Sequence, residues 1–553
     1  MGRLAVLALL AVPTAAGVAY LALVLDKRNR KRLAKVPAQG VPAVDGVVRS
    51  LRELAQADTD TVVAVELRQP GLTSLPMDHL SALRHLVRLD VGGCGLTRLP
   101  GSISTLRSLQ VLLAPRNRLG QVPPELGLLS STLVQLDLGA NQLATVPSEL
   151  CQLTGLRSLN LMGNQLERLP EDFGRLTNLR LLGLKSNKLV ELPSSFSQLT
   201  ALVELFITDN KLLDLPEGER LGRHGSGPMG HPAGSYVAGA ATGPPQLPAP
   251  PRPLPRLACL RLPRCLLHLP RLEMVRVAVC AITRLPPALL EGGALPSLAW
   301  FSVAGNPVCP DPPPPAPGLP LVAQEELELG QKLGEGASGD VFRAVWRGQL
   351  VAVKFFRADV SPDGRTEDEV ALAVALQHPH LTQVLARVER PAGLVLRLET
   401  GVPLALKPTS QHLLRCKWAD ELAFQPRRAL SLALAVADAL RYCHAGGVCH
   451  GDVYAHNVLM DEDGSVTLCD FGASFSYDPA QQPFWQAMEV RAYGLFLRDV
   501  AHRCDPSPEG PAGGAGDAPS VGAALRRLAE RCTELPPAER PSFGALCEEL
   551  RGL

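Results

Sequence analysis

The sequence predicts an α/β repeat solenoid followed by a two-lobed α+β domain, with a transmembrane helix at the N-terminus. Three observations carry that expectation. Asn117, Asn141, Asn164, Asn187 and Asn210 recur at spacings of 24, 23, 23 and 23 residues. Between Gly334 and Gly472 a glycine-rich turn, a strand lysine, a helix glutamate, a polar loop and an aspartate follow one another. Leu4 to Leu25 is a run of 22 residues without a charge.

The asparagine spacing sets the solenoid, because a single unit of this length cannot bury its apolar edge and must stack on neighbours. The unit can be written from Leu156 through Leu159, Leu161, Asn164, Leu166 and Leu169 to Pro170. Its leucines face inward from a short strand, and its asparagine satisfies backbone groups at the turn in a ladder. This pattern resembles leucine-rich repeats. Units begin near Val62, Leu86, Leu109, Leu133, Leu156, Leu179, Leu202, Leu257, Leu272 and Leu298, about ten in all. Cys94, Cys265 and Cys280 take the asparagine slot, and Asn306-Pro307 closes the series.

Residues 217–256, rich in glycine, proline, alanine and serine, are expected to interrupt the repeats as a disordered insertion. The insertion is expected to leave from the convex side or edge, the alternative being a linker between two repeat blocks. Val44 to Ala57 is expected to form a helix that caps the first unit. Val111, Leu113, Gln135, Asp137, Ser158, Asn160, Leu181, Gly183, Glu204 and Phe206 are placed on the concave face. That mixed surface is of a kind that binds a protein partner. No basic stripe with interleaved aromatics argues for nucleic acid.

In the second domain, Gly334, Gly336 and Gly339 let the backbone approach phosphate oxygens with no Cβ in the way. Val341 to Phe355 alternates as two strands, which projects Lys354 from a sheet. Thr366 to Leu376 reads as a helix carrying Glu367 and Glu369. Arg427 to His444 is an amphipathic helix that delivers His450-Gly451-Asp452, with Asn457 five residues after the aspartate. Asp470-Phe471-Gly472 follows the apolar strand Val466 to Cys469.

These five elements, in this order, resemble a protein kinase domain. The resemblance implies that Gly334, Gly336, Gly339, Val341, Ala352 and Lys354 bind ATP, with Glu369 as the partner of the lysine and Glu367 as runner-up. It further implies that Asp452 is the catalytic base, and that Asn457 and Asp470 hold Mg2+. Lys354, Glu369, Asp452 and Asn457 form the catalytic set, and a serine or threonine of a protein is the acceptor.

Departures from that family matter as much. Gly451 stands where an arginine is usual, so nothing there clamps a phosphorylated activation loop. Tyr454 replaces a lysine, which removes a cation from the transferring phosphoryl group. Sixteen residues, Ala473 to Met488, separate Gly472 from Glu489, and the peptide-docking platform is abbreviated. Glu489 is placed where the family has an aspartate, and Arg540 retains a late signature without its glutamate partner. Ser474, Ser476 and Tyr477 read as ordinary polar loop residues.

At about 1.5 Å per residue, Leu4 to Leu25 is long enough for a bilayer core of roughly 30 Å. Lys27, Arg28, Arg30, Lys31, Arg32 and Lys35 follow it, which places the rest of the chain in the cytosol. The 13 cysteines, without a CxxC pair, suit a reducing compartment and argue against zinc. A formal net charge of +1 gives no bulk electrostatic preference.

The expected organisation is an anchor at 1–26, a basic segment and cap at 27–60, repeats at 61–310, a proline-rich linker at 311–324 and the kinase-like domain at 325–553. The expected function is a membrane-anchored kinase that transfers the γ-phosphoryl group of ATP to a protein recruited by the repeats. A nucleotide-binding pseudokinase scaffold and a small-molecule phosphotransferase are the alternatives.

Overall fold

In the computed structural model, the described residues are 46–212 and 262–553, apart from 292–293, 313–317, 337, 362, 408–415, 420–421 and 505–519. The repeats form one ten-stranded sheet in chain order. Its strands are β1 (Val47–Val48), β2 (Ala64–Glu66), β3 (Arg88–Asp90), β4 (Val111–Leu113) and β5 (Gln135–Asp137). They continue as β6 (Ser158–Asn160), β7 (Leu181–Gly183), β8 (Glu204–Phe206), β9 (Met274–Arg276) and β10 (Trp300–Ser302). Each pairs in parallel with the next. The Leu-Pro step then starts a 3₁₀ turn, such as Glu171–Arg175 after Pro170, because proline fixes φ and leaves no N–H to continue a strand.

The asparagines are buried and do the ladder's work. Asn164 Nδ2 donates to Leu138 O and Leu161 O, each at 3.0 Å, while its Oδ1 accepts from Leu143 N at 3.0 Å. Cys94 and Cys280 imitate half of this, donating Sγ–H to Leu67 O at 3.1 Å and Ile207 O at 3.3 Å. Cys265 does not. It lies in the 3₁₀ turn Arg264–His268, which follows Pro263, and so takes no place in the ladder. The start near Leu257 lies outside the described residues. β8 pairs in register with β9, Glu204 opposite Met274, so the sheet runs on across the interruption. The expected capping helix is shorter than read: Val47 and Val48 pair with Ala64 and Val65, and α1 (Leu51–Ala55) begins only after Ser50 caps it through Glu53 N.

The second domain has two lobes. A six-stranded sheet contains β11 (Leu321–Val322), β12 (Glu328–Glu335), β13 (Gly339–Trp346), β14 (Gln349–Phe356), β15 (Val384–Val388) and β16 (Gly393–Arg397), in the spatial order β11-β15-β16-β14-β13-β12. It carries α2 (Thr366–Ala375). The helical lobe is built on α3 (Pro426–Ala445), α4 (Phe484–Cys504), α5 (Val521–Glu534) and α6 (Phe543–Arg551). Its core centres on the fully buried Tyr493 and Phe543, ring centroids 5.7 Å apart, while Trp485 is buried in the core that the solenoid extends into the lobe.

Solenoid and helical lobe share apolar surface. Phe301 of β10 meets Trp485 with ring centroids 5.4 Å apart, and Trp300 is buried against the residues of the helical lobe. Arg491 Nε donates to Ser297 O at 3.0 Å, and Arg540 Nη2 to Pro296 O at 3.0 Å.

The expectation of a transmembrane helix and of single-pass membrane localisation is corrected. No helix among the described residues is long and apolar enough to cross a membrane. The two longest, α3 and α4, both carry charges, Arg427, Arg428, Asp438 and Arg441 in one and Glu489, Arg491, Arg498 and Asp499 among those in the other. Residues 4–25 lie outside the described residues.

Candidate active site

Val341 of β13 stands opposite Lys354 of β14, with Ala352 two residues away, so all three share one face of the sheet. On that face the Lys354 ammonium bonds the carboxylate of Glu369 from α2 and lies 3.5 Å from Asp470 Oδ1. Glu367, two residues earlier and so on the far face of the helix, is exposed. Burial opposes the charge of Lys354, yet Asp470 and Glu369 hold its pKa above the ordinary lysine value. Lys354 in turn holds Asp470 well below the usual carboxylate range, while burial pushes Glu369 up.

The three glycines have different reasons to be there. A Cβ on Gly334 would meet nothing within 4 Å, and one on Gly336 only the Gly339 carbonyl oxygen at 3.7 Å, so both border open space. A Cβ on Gly339 would stand 2.1 Å from Phe355 O. That glycine is demanded by strand pairing.

Asp452 and Asn457 precede a short strand, Val458–Met460, and Asp470 follows its antiparallel partner, Val466–Leu468. Cys469 N donates to Asn457 O at 2.8 Å, which ties the asparagine to the residue before Asp470. Asn457 Nδ2 donates to Asp452 O and Oδ2, at 2.9 and 2.8 Å. With its amide N–H groups spent there, Asn457 presents its carbonyl oxygen. That oxygen and the Asp470 carboxylate are hard donors that suit a divalent cation such as Mg2+.

Glu489 anchors the loop from below. It is 1% exposed and accepts from His450 N at 3.1 Å and Gly451 N at 2.6 Å, with His444 Nε2 at 2.8 Å. Burial opposes its ionisation, but the His444 hydrogen bond and the loop amides keep its carboxyl below the ordinary value. Arg540, without an acidic partner in the sequence pattern, bonds carbonyls instead: Leu535 O, Ala487 O and Pro296 O. Ser474, Ser476 and Tyr477 are buried; Ser474 Oγ donates to His450 O at 2.8 Å, and Tyr477 Oη lies 2.6 Å from His444 Nδ1.

Sequence reasoning missed four residues around Asp452. Arg276 of β9 pairs with the Asp452 carboxylate, lies 3.5 Å from Asp363 Oδ1 and donates to Gly451 O at 3.3 Å. Trp300 of β10 stacks on Tyr454, centroids 4.5 Å apart and planes 4° from parallel, and donates Nε1–H to Val453 O at 3.2 Å. Ser302 Oγ lies 2.9 Å from Asp363 O and 3.1 Å from Ala473 O. The available signal was positional: Arg276 occupies the same strand slot as Asp137, Asn160 and Phe206, all concave-facing.

Fold and site together resemble a protein kinase domain joined to a leucine-rich-repeat solenoid. Residues 327–493 match the family model described as "Protein kinase domain", and residues 155–176 match "Leucine Rich Repeat". Domains of the first kind use ATP and a divalent metal. Relatives include the serine/threonine-protein kinase CTR1 of Arabidopsis thaliana, 29% identical over 41% of this chain and 32% of that protein. CBL-interacting protein kinase 4 of Oryza sativa is 39% identical over 28% of this chain and 34% of its own length. The probable serine/threonine-protein kinase SIS8 of Arabidopsis thaliana is 28% identical over 41% and 25%. The chain thus spans about a third or less of the length of these relatives. Over its C-terminal part the chain is similar to the kinase domains of these serine/threonine kinases, and ahead of that part it matches a leucine-rich repeat.

Proposed function

We propose that the chain is a protein kinase that transfers the γ-phosphoryl group of ATP to a serine or threonine hydroxyl. The carrying observation is the convergence of Lys354, Glu369 and Asp470 on one side and Asp452 with Asn457 on the other, joined by the Cys469–Asn457 backbone bond. In this reading Lys354, held in place by Glu369, binds the α- and β-phosphates, and Gly334 and Gly336 leave room for the phosphate chain. Asp452 accepts the proton of the attacking hydroxyl as its oxygen bonds the γ-phosphorus and the bond to the β-phosphate oxygen breaks, releasing ADP. Asn457 and Asp470 would hold Mg2+, which neutralises phosphate charge when bound.

A second reading rests on one feature. A cavity of about 430 Å³ lies between the concave face and Asp452, lined by Gln135, Ser158, Asn160, Glu204 and Arg276 among others. That volume also accommodates a small hydroxyl-bearing metabolite. Both readings are tested by labelled γ-phosphate transfer from the full chain to protein acceptors and to a metabolite panel. Asp452→Asn is expected to abolish transfer while leaving Mg-ATP binding intact. Equal transfer by wild type and variant would remove Asp452 from the base's role.

A further inference from the structure

Tyr454 leaves the catalytic loop without a cation next to its base, and the solenoid brings one there. The Arg276 side chain is 4% exposed and enters from β9. Its guanidinium reaches the Asp452 carboxylate and the Gly451 carbonyl at once, a fork that an ammonium cannot reproduce. Asp363 Oδ1 lies 3.5 Å from its Nε, and the next strand holds the same loop, with Trp300 stacked on Tyr454 and its indole donating to Val453 O. Among the described residues Arg276 Nε and Tyr454 Oη make no hydrogen bond, although both are buried. Burial opposes the arginine's charge, but Asp452 and Asp363 hold it protonated.

Resting on the kinase reading above, we propose that the repeat solenoid completes the active site. The concave face forms one wall of the acceptor pocket, and Arg276 is the positioning residue that orients Asp452 and sets a positive charge beside the phosphoryl group in flight. Arg276 and Asn457 each occupy one carboxylate oxygen of Asp452, and each oxygen keeps a further lone pair, so the base still accepts the acceptor's proton. The acceptor reaches it through the 430 Å³ cavity, past Ser158 and Asn160.

The shortened segment after Gly472 fits this arrangement. Phe475–Ser476 pairs directly with Val448–Cys449, and α4 begins at Phe484, leaving the place of a docking platform to β9 and β10. Ser302 seals the join through Asp363 O and Ala473 O. A repeat arginine at Asp452 also supplies the electrostatic stabilisation on which phosphoryl transfer depends.

The test uses the full chain with Arg276→Gln and Arg276→Lys, read as kcat and KM for ATP and for the acceptor that wild type phosphorylates. Arg276→Gln is expected to lower kcat about 100-fold with KM for ATP unchanged. Arg276→Lys keeps the charge but loses the fork, and is expected to lower kcat about tenfold. Ser158→Trp, which fills the pocket wall, is expected to raise KM for the acceptor alone. Should Gln fail to fold, the Lys variant decides, since a kcat equal to wild type overturns the proposal. A rise in kcat in either arginine variant overturns it too, because the arginine would then be a block on the base. Absence of transfer by wild type to every acceptor would instead defeat the kinase reading.

Discussion

Replacing Glu489 by alanine should cripple the catalytic loop while leaving the nucleotide side standing. The carboxylate is enclosed and is the acceptor for two consecutive backbone N–H groups, those of His450 and Gly451. An orphaned buried donor costs about 1–3 kcal/mol, so the two together cost about 2–6 kcal/mol. Against a domain stability of about 5–15 kcal/mol that is a large share. The loop cannot easily relax, because Gly451 sits at φ +75 and faces Ala473 O closely. Urea unfolding followed by tryptophan fluorescence, with a slope near 2 kcal/mol/M, should show the midpoint of that transition fall by about 1–3 M. Glu489→Gln keeps one acceptor oxygen and should fall about half as far. Because folding depresses the Glu489 pKa, its contribution is complete above the ordinary glutamate value and disappears as pH falls through the folded value. The wild-type and alanine midpoints should therefore converge in acid. Mg-ATP binding should survive where the protein remains folded, while transfer is lost, since Asp452 follows Gly451 directly. An alanine variant with wild-type midpoint and wild-type transfer would refute this account of how the loop is held.

Two further outcomes are expected. Asn164→Ala removes the partner of Leu143 N, Leu138 O and Leu161 O in the buried ladder and should destabilise the solenoid by about 3 kcal/mol or more, measured as a shift in its unfolding midpoint; a shift under about 0.5 kcal/mol would contradict the ladder. Burial pushes the Cys280 thiol from 9.0 up to about 11, so folding stability should decline as pH rises from near 9 toward 11, where only the unfolded chain ionises that group. At pH 8 iodoacetamide should leave Cys280 unmodified in the native chain, and rapid labelling seen by peptide mass mapping would count against its burial.

Sequence pattern carried the local geometry far and the long-range geometry hardly at all. A repeat that must place one asparagine per turn advertises its period, so Asn117 to Asn210 were legible. Cys265 misled because composition cannot distinguish a ladder cysteine from one in a 3₁₀ turn after Pro263. That Lys354, Glu369 and Asp470 meet, and Asp452 with Asn457, could be anticipated because their elements follow one another within one domain, although 116 residues separate Lys354 from Asp470. Arg276 was not, because 176 residues separate it from Asp452 and nothing in a 23-residue period tells which strand will face a second domain. The shared core of Phe301 and Trp485 was hidden for the same reason.

The docking of β9 and β10 onto the catalytic loop makes the two ends of the solenoid unequal. A repeat gained or lost on the β1 side lengthens or shortens a free arm and leaves Arg276 where it is. The same event between β9 and β10 would displace the arginine by one strand spacing, about 4.8 Å, farther than any guanidinium could recover. On the reading proposed above, the repeat count can vary at one extremity only, and at the other it is tied to the placement of Arg276 beside Asp452.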